Sequence, residues 1–486
     1  MQLSKLISAT AVKEIKGTAE GLDIKNIQFD SRKVGVGDLF VATRGTTVDG
    51  HEFISNAIEQ GAVAIVCEEI PSGHEQNRNI TYIIVGDSQR TLGEMASAYY
   101  DNPSRKLILV GVTGTNGKTT IATLLYRLTR RLGYRAGLLS TVCNYVEDKA
   151  IPSTHTTPDA LALQELLHQM VESGCEYAFM EVSSHSIAQQ RIAGLQFNGG
   201  IFTNLTRDHL DFHKTFENYR DTKKHFFDLL TDNCFAITNI DDENGITMVK
   251  DTKARVFTYS QQHLQADFFA QIQSEQISGM TLKINHSDIL HTPLVGHFNV
   301  SNLLAIYSAA LCLKFNKEQV LQELSTLNPV NGRFETIHSQ KGWTAIVDYA
   351  HTPDAVENVI NTIKEIKHSN GRLLTVIGCG GNRDKGKRPQ MAQIAFHGSD
   401  LLILTSDNPR DENPNDILKD MLDGLAENER EQVLVIGDRA EAIEKACALA
   451  KENDIVLVAG KGHENYQIIK GTKHHFDDHE QIRLHT

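Results

Sequence analysis

The chain has 486 residues, enough for two to four domains that each bury a core, with 40% apolar and 22% charged residues. A net charge of −13 excludes a general binder of nucleic acid or anionic membrane, so any phosphate-bearing ligand must be held by local groups. No apolar run reaches the roughly 18 residues of a membrane helix.

The opening residues MQLSKLISATAVKEIKG lack the apolar core and cleavage site of a signal peptide. Seven scattered cysteines without a CxxC pair suit reduced thiols, so a cytoplasmic location is expected.

Residues 1–102 read as a small α/β domain. IQFDSRKVGVGDLFVAT, GAVAIVCEE and YIIVGD each hold a short strand followed by turn residues. Asp30, Ser31 and Arg32 sit where a strand meets a glycine-rich turn, either to hold a polar ligand or simply as a hydrogen-bonded turn. Asp101-Asn102-Pro103-Ser104 reads as a linker.

KLILVGVTGTNGKTT at 106–120 gives a short apolar strand and a glycine turn. Ile121, Leu124, Leu125, Leu128 and Leu132 then follow at helical spacing up to Gly133. Strand, glycine turn and helix build a phosphate cradle, because N–H groups at the helix start face the anion and glycines allow close approach. Lys118 would reach the outer phosphates and the Thr119 hydroxyl would meet Mg²⁺. The strict phosphate-loop pattern requires glycine where Val112 stands, so it fails by one residue; the context still predicts an ATP site.

STHTTPDA is a polar loop with Thr156 and Thr157, before a helix through Leu161, Leu163, Leu166 and Leu167. YAFMEVSSHS ends a strand on Glu181, which either serves a nucleotide's Mg²⁺ or caps a turn. Asp208, His209, Asp211 and His213 follow the next strand, as a metal site or a solvated polar loop. Lys223 and Lys224 share a helix with Tyr219, Phe226 and Phe227, and the plain expectation is exposed lysines beside a core face. LVGHFNVSNLLAIYSAALCL predicts a Gly-Asn turn entering an apolar helix.

In the last third, apolar strands alternate with helical segments and end on polar clusters, which argues a mostly parallel sheet. The clusters are Asp348; Arg383, Asp384 and Lys387; Asp407, Asn408 and Arg410; and Lys461, His463 and Glu464. In such sheets ligands gather at the strands' carboxyl ends. His474, His475, Asp477, Asp478 and His479 near the end suggest a metal tract or a solvated helix start.

GVTGTNGKTT, EVSSH, TRDHLDFH, GRFE, DYAHTP, GCGGNRDKGKRP, DNPR and GKGHE, in this order, resemble the Mur ligase family. With the turn at Asp30 the resemblance runs to Glu464. It implies an α/β protein of three domains: a UDP-sugar domain at 1–102, a central phosphate-loop ATPase at 103–331 and a Rossmann-like C-terminal domain at 332–486. It also implies ATP-dependent amide ligation through an acyl phosphate, adding meso-2,6-diaminopimelate to UDP-N-acetylmuramoyl-L-alanyl-D-glutamate in peptidoglycan precursor synthesis. The partners implied are these small molecules, with no nucleic acid or membrane insertion, and the chain is expected to act as a monomer.

Transferred by motif, Gly114, Thr115, Asn116, Gly117, Lys118, Thr119 and Thr120 would hold the ATP phosphates. Asn302, Arg333 and Asp348 would contact the rest of the nucleotide. Thr119 and Glu181 would serve one Mg²⁺. His209 and Lys223 would serve a second, Lys223 as a CO₂-derived carbamate, because a carbamate gives Mg²⁺ the oxygen an amine lacks. Phe29, Ser31 and the loop Thr46, Thr47, Val48 would meet the UDP-sugar, although the family often has His-Gln-Ala in that loop. Thr156, Thr157, Ser183, Gln189 and Arg191 would hold the muramyl dipeptide.

Arg383, Asp407, Asn408, Pro409, Arg410, Gly460 and Glu464 would bind diaminopimelate. A guanidinium fork suits its second carboxylate and Glu464 its distal ammonium. The rivals are a folylpolyglutamate synthase and a nucleotide-driven switch or transport ATPase. A catalytically dead scaffold is disfavoured by the presence of Lys118, Thr119, Glu181, His209 and Lys223.

Overall fold

Leu39 and Val41 face one side of a strand and Phe40 the other, and this alternation recurs along the next strands. Ala64, Val66, Ile83 and Val85 join Leu39 and Val41 in one core. Ile65, Cys67 and Tyr82 join Phe40 in a second. A sheet covered on both faces needs apolar residues at every position, hence the short uninterrupted runs in the sequence. The computed structural model describes residues 1–45, 48–73, 79–153, 155–285 and 287–486.

The chain is α/β and forms two compact units. The first comprises Met1–Gly111, Gly133–Gly200 and Leu229–Cys234; the second comprises Val112–Leu132, Ile201–Asp228 and Phe235–Thr486. In the first, a five-stranded sheet runs in the order Val12–Lys16, Thr81–Val85, Ala64–Cys67, Leu39–Val41, Ile27–Gln28. Its first strand is antiparallel and the others are parallel. Strand Tyr177–Glu181 pairs in parallel with Ala136–Leu139, which continues into the hairpin Cys143–Val146 and Lys149–Pro152.

In the second unit, strands Phe235–Asn239, Arg255–Ser260 and Phe268–Gln276 run parallel, followed by the antiparallel strands Gly279–Ile284 and Asp288–Thr292. Helix Lys118–Arg131 buries Ile121, Leu124, Leu125 and Leu128, the stripe its spacing predicts, and ends before Gly133. Helix His297–Cys312 begins directly after Gly296, whose φ is +95°. Asn299 therefore lies inside the helix, and the expected Gly-Asn turn is a single glycine.

A six-stranded sheet follows in the order Glu335–His338, Thr344–Asp348, Ile455–Ala459, Leu373–Ile377, Leu401–Leu404, Leu434–Val435, parallel after its first strand. Its register pairs Asp348 with Ala459, Ala459 with Ile377 and Ile377 with Leu404. The polar clusters after these strands therefore leave from one edge, as the alternation of elements predicts.

Candidate functional site

The phosphate loop leaves strand Ile108–Thr113 through two glycines that nothing else can replace. At Gly114 (φ +147°) a Cβ would lie 1.8 Å from Thr203 Oγ1, and at Gly117 (φ +88°) 2.6 Å from Asn302 Oδ1. Such φ values are open to glycine and strained for other residues. The loop is tied down by Thr115 N donating to Asn204 O at 2.8 Å and Asn116 N to Asn204 Oδ1 at 2.9 Å. Thr203 Oγ1 donates to Asn116 O at 2.6 Å.

Lys118 curls back, its Nζ donating to Gly114 O and Thr115 O, each at 2.9 Å. Lys223 arrives at the same place from helix Phe216–Asp228, donating to Gly114 O at 2.8 Å. It is 1% exposed, so the expectation of an exposed lysine is corrected. Lys224 is held by Asp228 and Asp251, each at 2.7 Å. Burial, and then the Lys118 charge, push Lys223 well below the ordinary lysine range, so its amine favours the neutral form. Tyr219 lies beneath it, 4.8 Å from ring centroid to Nζ, with its hydroxyl 3.1 Å from Thr115 Oγ1.

Asp208–His213 is only partly the solvated loop that spacing allows, Asp211 being exposed. Asp208 is mostly buried and His213 is 6% exposed, against the Tyr219 ring at 5.2 Å. His209 remains more open, 3.4 Å from Asp208. Burial opposes the Asp208 anion, but His209, His351 and Lys387 outweigh it and hold its carboxyl down at about 2.

Beside the loop is a cavity of about 380 Å³, within the range of small-molecule sites. Asn116, Thr120, Asn302, Arg333 and Asp348 are among its lining residues. Arg333 lies over the Tyr349 ring at 4.5 Å and donates to Thr119 Oγ1 at 3.1 Å. Asp348 accepts from Phe334 N and Ala350 N, each at 2.7 Å, and burial raises its pKa despite the Arg333 charge.

In the first unit, Glu181 is 1% exposed and accepts from Ser140 Oγ and Thr141 N at 2.8 Å. The Thr157 hydroxyl donates to Glu181 O at 2.8 Å and meets Ser183 Oγ at 3.3 Å. Arg191 donates to Thr157 O at 2.9 Å and to Gln189 Oε1 at 2.6 Å. Thr156 accepts from Thr141 Oγ1 at 3.0 Å. The five predicted dipeptide residues are thus linked around one strand end. Phe29 and buried Ser31 follow strand Ile27–Gln28, and Val48 follows its parallel neighbour Leu39–Val41. Thr46 and Thr47, expected beside Val48, lie outside the described residues.

The DNPR loop gathers the remaining predicted residues. Buried Asn408 donates to Glu464 Oε2 at 2.7 Å, and a Cβ on Gly460 (φ +113°) would lie 2.7 Å from Asp407 Oδ2. Burial and then Asp407 raise the Glu464 pKa. Arg410 has φ +53° and donates to Gly381 O at 2.8 Å. Burial, and then the Arg383 charge, lower the Arg410 pKa against the nearby Asp407 and Glu464 charges, so this guanidinium is poorly solvated. The hairpin Tyr466–Ile469 and Thr472–His475 fastens the loop: Arg410 N donates to Ile468 O at 2.9 Å and Lys470 N to Arg410 O at 2.7 Å.

The His474–His479 tract is a helix start, though not a wholly solvated one: Asp477 caps helix Asp478–Arg483 by accepting from His479 N and Glu480 N, and His474 and His475 are exposed. Asp478 is fully buried against Arg439, at 2.8 and 2.7 Å, and His479 bridges Glu335 and Asp477. Among the described residues no group of three or more His, Cys, Asp or Glu is arranged to hold a metal. Sequence reasoning missed Thr203 and Asn204, and placed Lys461 in a polar cluster without a role. Lys461 is buried and pairs with Glu464 at 3.2 Å, and its place in GKGHE was the available signal. Thr203 and Asn204 act through long-range contacts that no local pattern marks.

The sequence matches "Mur ligase family, catalytic domain" over residues 23–100, "Mur ligase middle domain" over 112–310 and "Mur ligase, glutamate ligase domain" over 332–462. The UDP-N-acetylmuramoyl-L-alanyl-D-glutamate–2,6-diaminopimelate ligase of Parabacteroides distasonis is 58% identical, covering 99% of this chain and 98% of that protein. The protein of the same name from Phocaeicola vulgatus is 56% identical, covering 99% of each. A solved structure of a ligase of that name superposes with a TM-score of 0.70 at 33% identity, covering 100% of this chain and 98% of the other. Its domains follow the family's three-domain order, and with likeness of this depth along its whole length the chain belongs to the Mur ligase family.

Proposed function

We propose that this protein is an ATP-dependent ligase that joins meso-2,6-diaminopimelate to the glutamyl carboxylate of UDP-N-acetylmuramoyl-L-alanyl-D-glutamate. The observation that carries the reading is that two neighbouring loops offer opposite charges: the partly desolvated Arg410 guanidinium and the mostly buried Glu464 carboxylate, the latter held by Asn408 of the Arg410 loop. A diacid with a distal amine complements that pair. L-lysine would leave Arg410 without the second carboxylate.

On this reading residues Gly114–Thr120 cradle the phosphates of ATP, with Asn302, Arg333 and Asp348 around the rest of the nucleotide. Lys118 stabilises charge as the γ-phosphoryl passes to the carboxylate, and the amine then displaces phosphate from the acyl phosphate. Positioning supplies most of the acceleration, without a protein nucleophile. Thr157, Ser183, Gln189 and Arg191, with Thr156, hold the dipeptide; Phe29, Ser31 and the 46–48 loop hold the UDP-sugar.

Mg²⁺ suits the donors each unit offers: in the first the buried Glu181 carboxylate, and in the second the Thr119 hydroxyl and the His209 imidazole, with Lys223 able to add oxygens as a carbamate. When bound it supplies charge neutralisation on phosphate oxygens. Lys223 suits carbamylation because burial favours the amine that reacts with CO₂. Domain boundaries after residues 102 and 331, a monomeric state and a cytoplasmic location complete the proposal. Among the described residues no helix is long and apolar enough to cross a membrane.

The test is phosphate release with Mg·ATP and the UDP-muramyl dipeptide, with meso-diaminopimelate or L-lysine in parallel and the product identified by mass. Coupling with diaminopimelate alone supports the reading. Equal use of lysine removes the specificity, and ATP turnover with neither amine returns the protein to a nucleotide-driven switch.

A further inference from the structure

Arg388 opens helix Lys387–Gly398 and its side chain is wholly buried. It forks onto Glu412, Nη2 to Oε1 at 2.9 Å and Nη1 to Oε2 at 3.0 Å, and donates to Gly380 O at 3.2 Å. Glu412 Oε1 also accepts from Asn382 N, and Lys385 reaches Oε2 at 3.3 Å. The two loops meet again where Gly381 N donates to Asn408 O at 2.9 Å and Asp411 N to Asn382 Oδ1 at 3.1 Å. A Cβ on Gly381 would lie 1.9 Å from Pro409 O. One ion pair, wholly buried on its Arg388 side and 16% exposed on its Glu412 side, therefore joins the loop carrying Arg383 to the loop carrying Arg410, touching neither guanidinium.

Replacing a buried ion pair by apolar residues often costs little stability, so such a pair is weak as a stabiliser; here it fixes geometry instead. We infer that Arg388 and Glu412 are positioning residues for amino-acid recognition, holding Arg383 and Arg410 at the spacing that selects the incoming amine. The inference rests on the diaminopimelate reading above.

Asp420 supplies the control. It bonds Arg388 Nη1 at 2.7 Å from helix Pro414–Leu422, away from both loops. A merely structural role makes loss of Glu412 and loss of Asp420 equivalent, whereas a positioning role separates them.

Steady-state kinetics and melting curves of Glu412→Ala, Glu412→Gln, Arg388→Lys and Asp420→Asn test this on the full chain. Glu412→Ala should raise the KM for diaminopimelate about tenfold or more, leaving the KM values for ATP and the UDP-dipeptide within about twofold. Glu412→Gln, which keeps an acceptor for Asn382 N, should recover part of the loss, and Arg388→Lys, which loses the fork, should resemble Glu412→Ala. Asp420→Asn should lower the melting temperature without moving the diaminopimelate KM. If Glu412→Ala fails to fold, Glu412→Gln against Asp420→Asn carries the comparison. Equal effects of the Glu412 and Asp420 substitutions, or unchanged KM values throughout, overturn the inference. Failure of the wild-type chain to use diaminopimelate overturns the functional reading instead, and the variants are then compared on the amine it accepts.

Discussion

Lys118 and Lys223 bring two amine nitrogens to one oxygen, donating to Gly114 O at 2.9 and 2.8 Å. Two cations this close, one of them buried, cannot both be comfortable, and Lys223 yields. A neutral amine attacks CO₂ at carbon, forming the N–C bond and releasing a proton. An ordinary lysine stays mostly protonated up to about 10.4, so burial makes the reaction accessible near neutrality. In ¹³C-bicarbonate the wild-type chain should show a carbamate carbon resonance that Lys223→Arg lacks. It should weaken as pH falls through the depressed Lys223 pKa. Lys223→Arg should lose about 10²–10³-fold in kcat, the scale of removing one preorganised electrostatic group. A fully active wild-type chain without the resonance would count against the carbamate.

Gly117 gives a separate handle on the nucleotide. Gly117→Ala places a methyl 2.6 Å from Asn302 Oδ1 at a φ of +88°, so both the cradle and Asn302 must move. Calorimetry should show ATP affinity falling about tenfold or more, with the melting temperature lowered. Gly133→Ala, also at positive φ (+92°) but with nothing within 4 Å, should lower the melting temperature alone. Equal ATP binding by both variants would contradict the role given to the loop.

The fold was legible where one period dominates. The stripe after Lys118 and the short apolar strands are local patterns, and both stand in the structure. Lys223 was misread from its residue type: its spacing from Tyr219 and Phe226 puts it on the core face, but a lysine there is normally solvated, and the family motif was the stronger signal. The terminal acidic and histidine tract showed its helix start but not its burial, because its partners, Arg439 and Glu335, lie 39 and 144 residues away in the chain. The Arg388–Glu412 pair was present in the text as RDKGKRP and DNPRDE. Which charge meets which is decided by two loops folding onto each other, and no spacing encodes that.

His479 and Glu335 tie the C-terminal helix Asp478–Arg483 to the segment carrying Arg333, at 2.9 Å. Burial opposes the His479 cation, but Glu335 and Asp477 outweigh it and raise its pKa. The His479 bond, Gly332 N and Arg483 lower that of Glu335 against the cost of burial. The His479 contribution is complete below its unfolded value of about 6.5 and is lost as pH rises through the raised folded value. The Glu335 contribution is present above about 4.3 and is lost as pH falls through the lowered one. His479→Gln should therefore cost about 1 kcal/mol near pH 5.5–6 and less above pH 8, read by denaturant unfolding. A pH-independent difference would mean that the ring acts by packing alone.

Arg410 decides the amine. Its backbone is pinned by the hairpin, its φ of +53° is unusual for a residue with a side chain, and one Nη1 is committed to Gly381 O. A guanidinium held that firmly discriminates because the wrong amine leaves it unpaired. Lysine at the same position keeps the charge but loses the fork and must reach past Gly381. Arg410→Lys should lower kcat/KM for diaminopimelate by about 10²-fold or more, the equivalent of roughly 3 kcal/mol. Activity with L-lysine should change far less, so the ratio of the two substrates is the quantity to measure. A parallel fall for both would place Arg410 in catalysis or in loop folding rather than in selection.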